Sequence, residues 1–106
     1  MIYYVDIDDT ICKKNDLNVD NYEKAVPMKD RIEIINRLYD QGNTIIYWTA
    51  RGTGTGIDWS ETTKNQFERW GVKYHELRFG KPIYDLFIDD KNINCDTFFN
   101  NISDEI

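Results

Sequence analysis

The sequence predicts an α/β fold built on a mainly parallel sheet, and three observations predict it. Apolar runs of strand length alternate with stretches of helical spacing, the runs are apolar throughout, and acidic or hydroxyl residues stand where the runs stop. Buried parallel strands need the second feature, and ligand sites at strand ends supply the third. The expected architecture is a Rossmann-like three-layer sandwich, with residues 1–106 forming a single domain.

The first strand is predicted over Ile2 to Ile7, and it delivers Asp6, Asp8 and Asp9 to its C-terminal end. Carboxylates packed this tightly repel one another, and they are tolerated where a bound cation or a chemical role offsets the repulsion. Residues 12–26 are polar and turn-like (Lys13-Lys14-Asn15-Asp16, Asn18, Asp20-Asn21), an excursion holding a small turn or hairpin. A helix follows from Met28 to Gln41. Pro27 suits its entrance, Met28, Ile32, Ile35, Leu38 and Tyr39 share one face, and Gly42 marks the stop.

Thr44 to Trp48 is the second strand and ends at Thr49-Ala50-Arg51. Gly52 to Gly56 lacks the Lys-Ser/Thr ending of a nucleotide phosphate loop, so it reads as a mobile loop placed to close over a substrate. Ser60 to Trp70 is a helix with Ser60 as N-cap, Thr63 where a capping box needs Glu, and Gly71 as the stop. Val72 to Leu77 gives a third strand and Tyr84 to Ile88 a fourth, entered through Lys81-Pro82 and closed by Asp89-Asp90. The Asn-rich tail has no clear period, and Phe98-Phe99 is expected to pack back on the body. Trp48 and Trp70 are assigned to the core, and Trp59 to a substrate or subunit contact. His75 reads as a half-buried strand residue without a catalytic partner.

A formal charge of -6 argues against a nucleic-acid backbone or an anionic membrane as partner, since both favour basic patches. A phosphorylated small molecule fits, because an acidic site recruits phosphate through a divalent cation. Cys12 and Cys95 are too far apart for a CxxC pair and read as reduced thiols. With no signal peptide and no apolar stretch near ~20 residues, the expected setting is cytoplasmic.

Right-handed crossovers bring Asp6, Asp8, Thr49, Lys81, Asp89 and Asp90 to one edge of the sheet. Phosphoryl transfer needs such a set: a nucleophile, charge neutralisation at the phosphoryl oxygens, and a proton donor for the leaving group. In order, Asp6-Ile7-Asp8-Asp9-Thr10, Thr49, Lys81 and Asp89-Asp90 resemble the four motifs of the haloacid dehalogenase superfamily of aspartyl-phosphate phosphatases. The Thr-Ala-Arg and Gly-Lys-Pro-x-Tyr-Asp-x-x-x-Asp-Asp patterns are similar to small capless members linked to capsule polysaccharide biosynthesis and to sugar-phosphate hydrolysis.

The resemblance implies a Mg²⁺-dependent hydrolase of phosphomonoesters, with a small metabolite such as a sugar or polyol phosphate as substrate. Asp6 would attack phosphorus, and Asp8 would protonate the leaving oxygen and then activate water. Thr49, with Ala50 and the backbone after it, would bind the phosphoryl oxygens, and Lys81 would offset the charge of Asp6 and phosphate. Mg²⁺ would be held by Asp6, the Asp8 carbonyl and Asp89, with Asp90 binding it directly or supporting a ligand. Arg51 either reaches a substrate group or pairs with an acid, and Asp9 is scaffold. The intervals between motifs leave no room for the cap domain of larger members, so an open site follows, shielded by the Gly-rich loop or by a second subunit.

Three other readings use the same residues. A response-regulator receiver also pairs acids after its first strand, but it needs a phospho-accepting Asp at a central strand end, and Asp30, Asp40 and Asp58 sit in or beside helices or loops. A catalytically silent member of the fold would act as an assembly partner, against which the intact motifs argue. A nucleic-acid end phosphatase is disfavoured by the net charge.

Overall fold

The computed structural model describes residues 1–14 and 21–102. Its main sheet has three parallel strands in the order β1 (Ile2–Val5), β4 (Thr44–Trp48), β5 (Glu76–Arg78). Three helices accompany it: α1 (Lys29–Asp40), α2 (Ser60–Trp70) and α3 (Cys95–Ile102). A short antiparallel pair, β2 (Cys12–Lys13) with β3 (Val26–Pro27), forms the expected excursion. The turn-like residues 15–20 within it lie outside the described residues.

Pairing alternates side chains between the faces of the sheet, and one face holds the core. Val5, Ile45 and Tyr47 pack with Ile32, Ile35 and Leu38 of α1, Phe67 of α2 and Phe99 of α3. Ring contacts tie the layers, Tyr47 to Phe67 at 4.9 Å and Tyr3 to Phe98 at 6.5 Å between centroids. Within the Asn-rich tail Cys95–Ile102 is helical, with Phe98 and Phe99 against the core. Ile2 and Tyr4, on the opposite face, are more than half exposed, so the two layers formed here are the sheet and the helices on its Tyr3–Val5 face. Trp48 also lies on that opposite face, half-buried against Tyr4, and not in the core as expected.

Helix ends follow local chemistry. Gly71 caps α2 in the left-handed conformation, φ 69°, as its position after Trp70 predicts. Ser60 is not the N-cap: Trp59 occupies that position, and the Asp58 carboxylate accepts the Ser60 N–H at 2.9 Å. The Gly-rich stretch is folded into hydrogen-bonded turns, Thr53 N–H to Ala50 O and Gly56 N–H to Gly52 O. A side chain at Gly52, φ 83°, would collide with the Ile57 carbonyl. His75 is exposed; it stacks on Tyr39, and its Nδ1 accepts the Ile45 N–H at 3.1 Å.

The predicted third strand shortens to Glu76–Arg78, and the predicted fourth strand, Tyr84 to Ile88, does not form. Strand identity needs a paired neighbour as well as an apolar run. Among the described residues the segment pairs with no strand, Tyr84 packs on Phe87, and the Asn92 amide donates to Phe87 O. Leu86 and Ile88 are 75% and 88% exposed, and among the described residues β1 is an edge strand.

Candidate functional site

Asp6 follows the last residue of β1, Thr49 follows β4, and Lys81 stands three residues after β5, so all three meet at the C-terminal edge of the sheet. Backbone bonds fix the second and third against each other. Thr49 N–H donates to Arg78 O, and Lys81 N–H donates to Thr49 O at 3.1 Å. Thr53 Oγ closes the set by donating to Lys81 O.

Asp6 is the centre of this edge. The Lys81 ammonium lies 3.5 Å from Asp6 Oδ1, and the Thr10 hydroxyl donates to Oδ2 at 3.3 Å. Burial pushes the Asp6 carboxyl above its ordinary pKa, with Asp8 adding to the rise, while Lys81 and the Ile7 backbone pull the other way. A partly exposed carboxylate beside a cation is thereby left facing out of the strand end. Thr10 is buried, and its own carbonyl accepts Arg31 Nη1 at 3.2 Å. Asp9, at φ 63°, is the non-glycine residue that makes the turn after β1, in keeping with a scaffold role.

Asp8 is held from the other side. Arg51 Nε and Nη2 donate to its two oxygens, each at 3.0 Å, in a planar fork. Arg51 Nη1 donates to Thr63 Oγ and to Gln66 Oε1, and Nη2 also reaches Cys12 Sγ at 3.8 Å. The guanidinium further lies over the Tyr22 ring, 4.9 Å from its centroid. With its side chain fully buried and every N–H directed at protein atoms, Arg51 takes the ion-pairing alternative and has no donor left for a substrate. Gln66, Tyr22 and Arg31 were not singled out from the sequence, and Thr10 and Thr63 entered it only as a motif residue and a capping position, because a local pattern carries no signal of a distant partner.

Thr49 is buried and its hydroxyl accepts the Arg51 N–H, while the Ala50 carbonyl accepts Thr53 N–H. Beside them a cleft of about 190 Å³ opens between Gly52, Ile57, Trp59 and Phe79. A wider depression, about 540 Å³, over Thr62, Asn65 and Arg69 of α2 holds none of these residues.

No family model and no curated protein matches the chain. Among solved structures, a structural-genomics target from Vibrio cholerae is similar, with a TM-score of 0.78 at 22% identity over 98% of this chain and 97% of that one. The likeness is one of fold. It agrees with a compact Rossmann-like α/β arrangement, and no described helix is long and apolar enough to cross a membrane.

The last two predicted ligands are not at the site. Asp89 and Asp90 are exposed, and Asp89 Oδ1 accepts the Asp90 N–H. Among the described residues no three His, Cys, Asp or Glu side chains are grouped so as to hold a metal ion. Asp6 and Asp8 are therefore not grouped with Asp89 into such a cluster.

Both thiols are free, and their settings differ. Burial first, and the Asp8 charge second, push the Cys12 thiol up to about 12. At pH 8 a thiol-disulfide reagent is expected to modify half-buried Cys95 and leave Cys12 unreacted until denaturant is added. Equal rates for the two in the native protein would contradict this environment for Cys12.

Proposed function

We propose that this chain is a phosphomonoester hydrolase of the haloacid dehalogenase type, acting on a small phosphorylated metabolite such as a sugar or polyol phosphate through an aspartyl-phosphate on Asp6. The observation that carries the reading is the pairing of Asp6 with Lys81, 3.5 Å apart across the chain, at the strand-end edge where Thr10 and Thr49 also stand. A carboxylate can approach a phosphoryl group only if their mutual repulsion is offset, and an ammonium beside Asp6 does that.

In this reading an Asp6 oxygen attacks phosphorus, and the bond to the leaving oxygen breaks. Asp8 gives that oxygen a proton. To carry the proton, Asp8 must release one of the two oxygens that Arg51 engages. Water then adds to phosphorus of the acyl phosphate, Asp8 takes its proton back, and inorganic phosphate leaves with the Asp6 carboxylate restored. The cleft beside Trp59 and Phe79 takes the leaving group. Mg²⁺, which the motif resemblance implies, would be held by Asp6, the Asp8 carbonyl and Asp89 and would neutralise charge on the phosphoryl oxygens; no step above is assigned to it. Two free thiols suit a reducing, cytoplasmic setting.

Acid quenching during turnover of an aryl phosphate tests the assignment. A hydroxylamine-sensitive phosphoryl group mapped to Asp6 is expected. Phosphate release with no acyl phosphate on Asp6, or no release at all, would overturn it.

A further inference from the structure

The cleft beside Thr49 and Lys81 has apolar walls, Ile57, Trp59 and Phe79, and the Asp58 carboxylate also lines it. It is continuous with the strand-end edge. Gly80 of its lining precedes Lys81, the Arg51 N–H donates to Thr49 Oγ, and the Thr53 hydroxyl donates to the Lys81 carbonyl. An ester whose phosphoryl group meets Asp6 extends its leaving group here.

Gly52 keeps the space open, since a Cβ there would collide with the Ile57 carbonyl and stand 3.4 Å from Trp59 Cδ1. Tyr22 holds the indole from behind, meeting Trp59 edge-on with the ring centroids 5.1 Å apart. The volume of about 190 Å³ exceeds the ~150 Å³ that accepts one benzene ring and falls short of the ~300 Å³ at which drug-sized sites begin. One ring fits, and a nucleoside or a disaccharide does not.

Charge narrows the choice further. Arg51 is the guanidinium of this lining, and its N–H groups are spent on Asp8, Thr63, Gln66 and Cys12. Lys81 stands 3.5 Å from Asp6 and has the phosphoryl group to serve. Lys14 rests over the Tyr22 ring and Lys64 interacts with Asp58, and neither lines the cleft. A second anion on the leaving group therefore meets Asp58 and apolar walls, with no uncommitted cation among the described residues that line the cleft.

Resting on the phosphatase reading and deepening it, we infer that this cleft is a leaving-group subsite for a single uncharged ring, which lies against Trp59 and Phe79 while Asp58 turns away esters that carry a second anionic group. Neutral cyclic sugar phosphates meet this description, because a sugar ring has an apolar C–H face for the aromatic wall and a polar rim for water. Sugar acids, bisphosphates and nucleotides do not.

Two stable mimics test the subsite without turnover: benzylphosphonate, and the same molecule with a carboxylate at the 4-position. The protein is labelled with ¹⁵N at its tryptophan indoles, Mg²⁺ is present, and Trp59→Phe identifies the Trp59 signal. Benzylphosphonate is expected to move that signal saturably, and the carboxylated mimic to bind about tenfold more weakly or worse. Asp58→Asn keeps an acceptor for the Ser60 N–H and is expected to narrow the gap. A Trp59 signal that benzylphosphonate leaves in place overturns the subsite. So does equal or tighter binding of the carboxylated mimic, or a gap that Asp58→Asn leaves whole. Turnover of an aryl phosphate with Trp59 unmoved removes the subsite and keeps the phosphatase reading. The expected shift and preference, in a protein that hydrolyses no phosphate ester, keep the subsite and remove the phosphatase reading alone.

Discussion

Replacing Asp6 with asparagine is expected to lower phosphate release by ~10⁴-fold or more, the scale seen when a covalent nucleophile is removed. The substitution keeps the shape of the side chain and its bond from Thr10, so the fold should persist and only the attacking oxygen is lost. The pH dependence of the wild type has a fixed sign. Burial raises the Asp6 carboxyl pKa, and on the proposed phosphatase reading the protonated form cannot attack, so turnover is expected to fall as pH is lowered toward that raised value. Lys81 limits the rise, so Lys81→Met should move the acid limb to higher pH as well as slow the reaction. Steady-state kinetics on an aryl phosphate reads both effects. An Asp6→Asn variant turning over at a tenth of the wild-type rate would remove Asp6 from the nucleophile's role.

The sequence disclosed those parts of the molecule whose structure is set by near neighbours. The apolar runs Ile2 to Val5 and Thr44 to Trp48 pair as expected, the 3.6-residue spacing of Ile32, Ile35 and Leu38 marks the buried face of α1, and Gly71 ends α2 for the reason its lack of Cβ predicts. The convergence of Asp6, Thr49 and Lys81 was legible for the same reason, because each lies at or just past the end of a strand of fixed direction. What escaped was decided at long range. Tyr84 to Ile88 has the composition of a strand, but a strand also needs a paired neighbour, and no local pattern encodes that. Arg51 was readable as a cation after a strand; that Asp8, 43 residues away, would take both arms of its fork was not. Ser60 is the first helical residue rather than the cap, because Trp59 holds the cap position and the Asp58 carboxylate takes the Ser60 N–H.

Arg51→Leu is expected to destabilise the fold by about 3–5 kcal/mol, the range for removing one partner of a buried ion pair. The leucine fills much of the same volume, so the loss is electrostatic rather than a cavity. Asp8, whose side chain is 16% exposed, would keep its charge with no counterion, and Thr63 Oγ and Gln66 Oε1 would lose their donor. For a chain of this size the midpoint of thermal unfolding should drop by more than ~12 °C. Arg51→Lys is expected to recover only part of this, since an ammonium cannot serve both Asp8 oxygens, Thr63 and Gln66 in one plane. The decisive comparison adds Asp8→Asn to Arg51→Leu. If the cost is the stranded charge, the double variant is more stable than Arg51→Leu alone, and a coupling energy within about 0.5–3 kcal/mol appears in the cycle. Urea unfolding of the four proteins measures it. Additive losses would mean that Arg51 contributes packing against Tyr22 and α2, and that the orientation of Asp8 is set by the β1 turn without it.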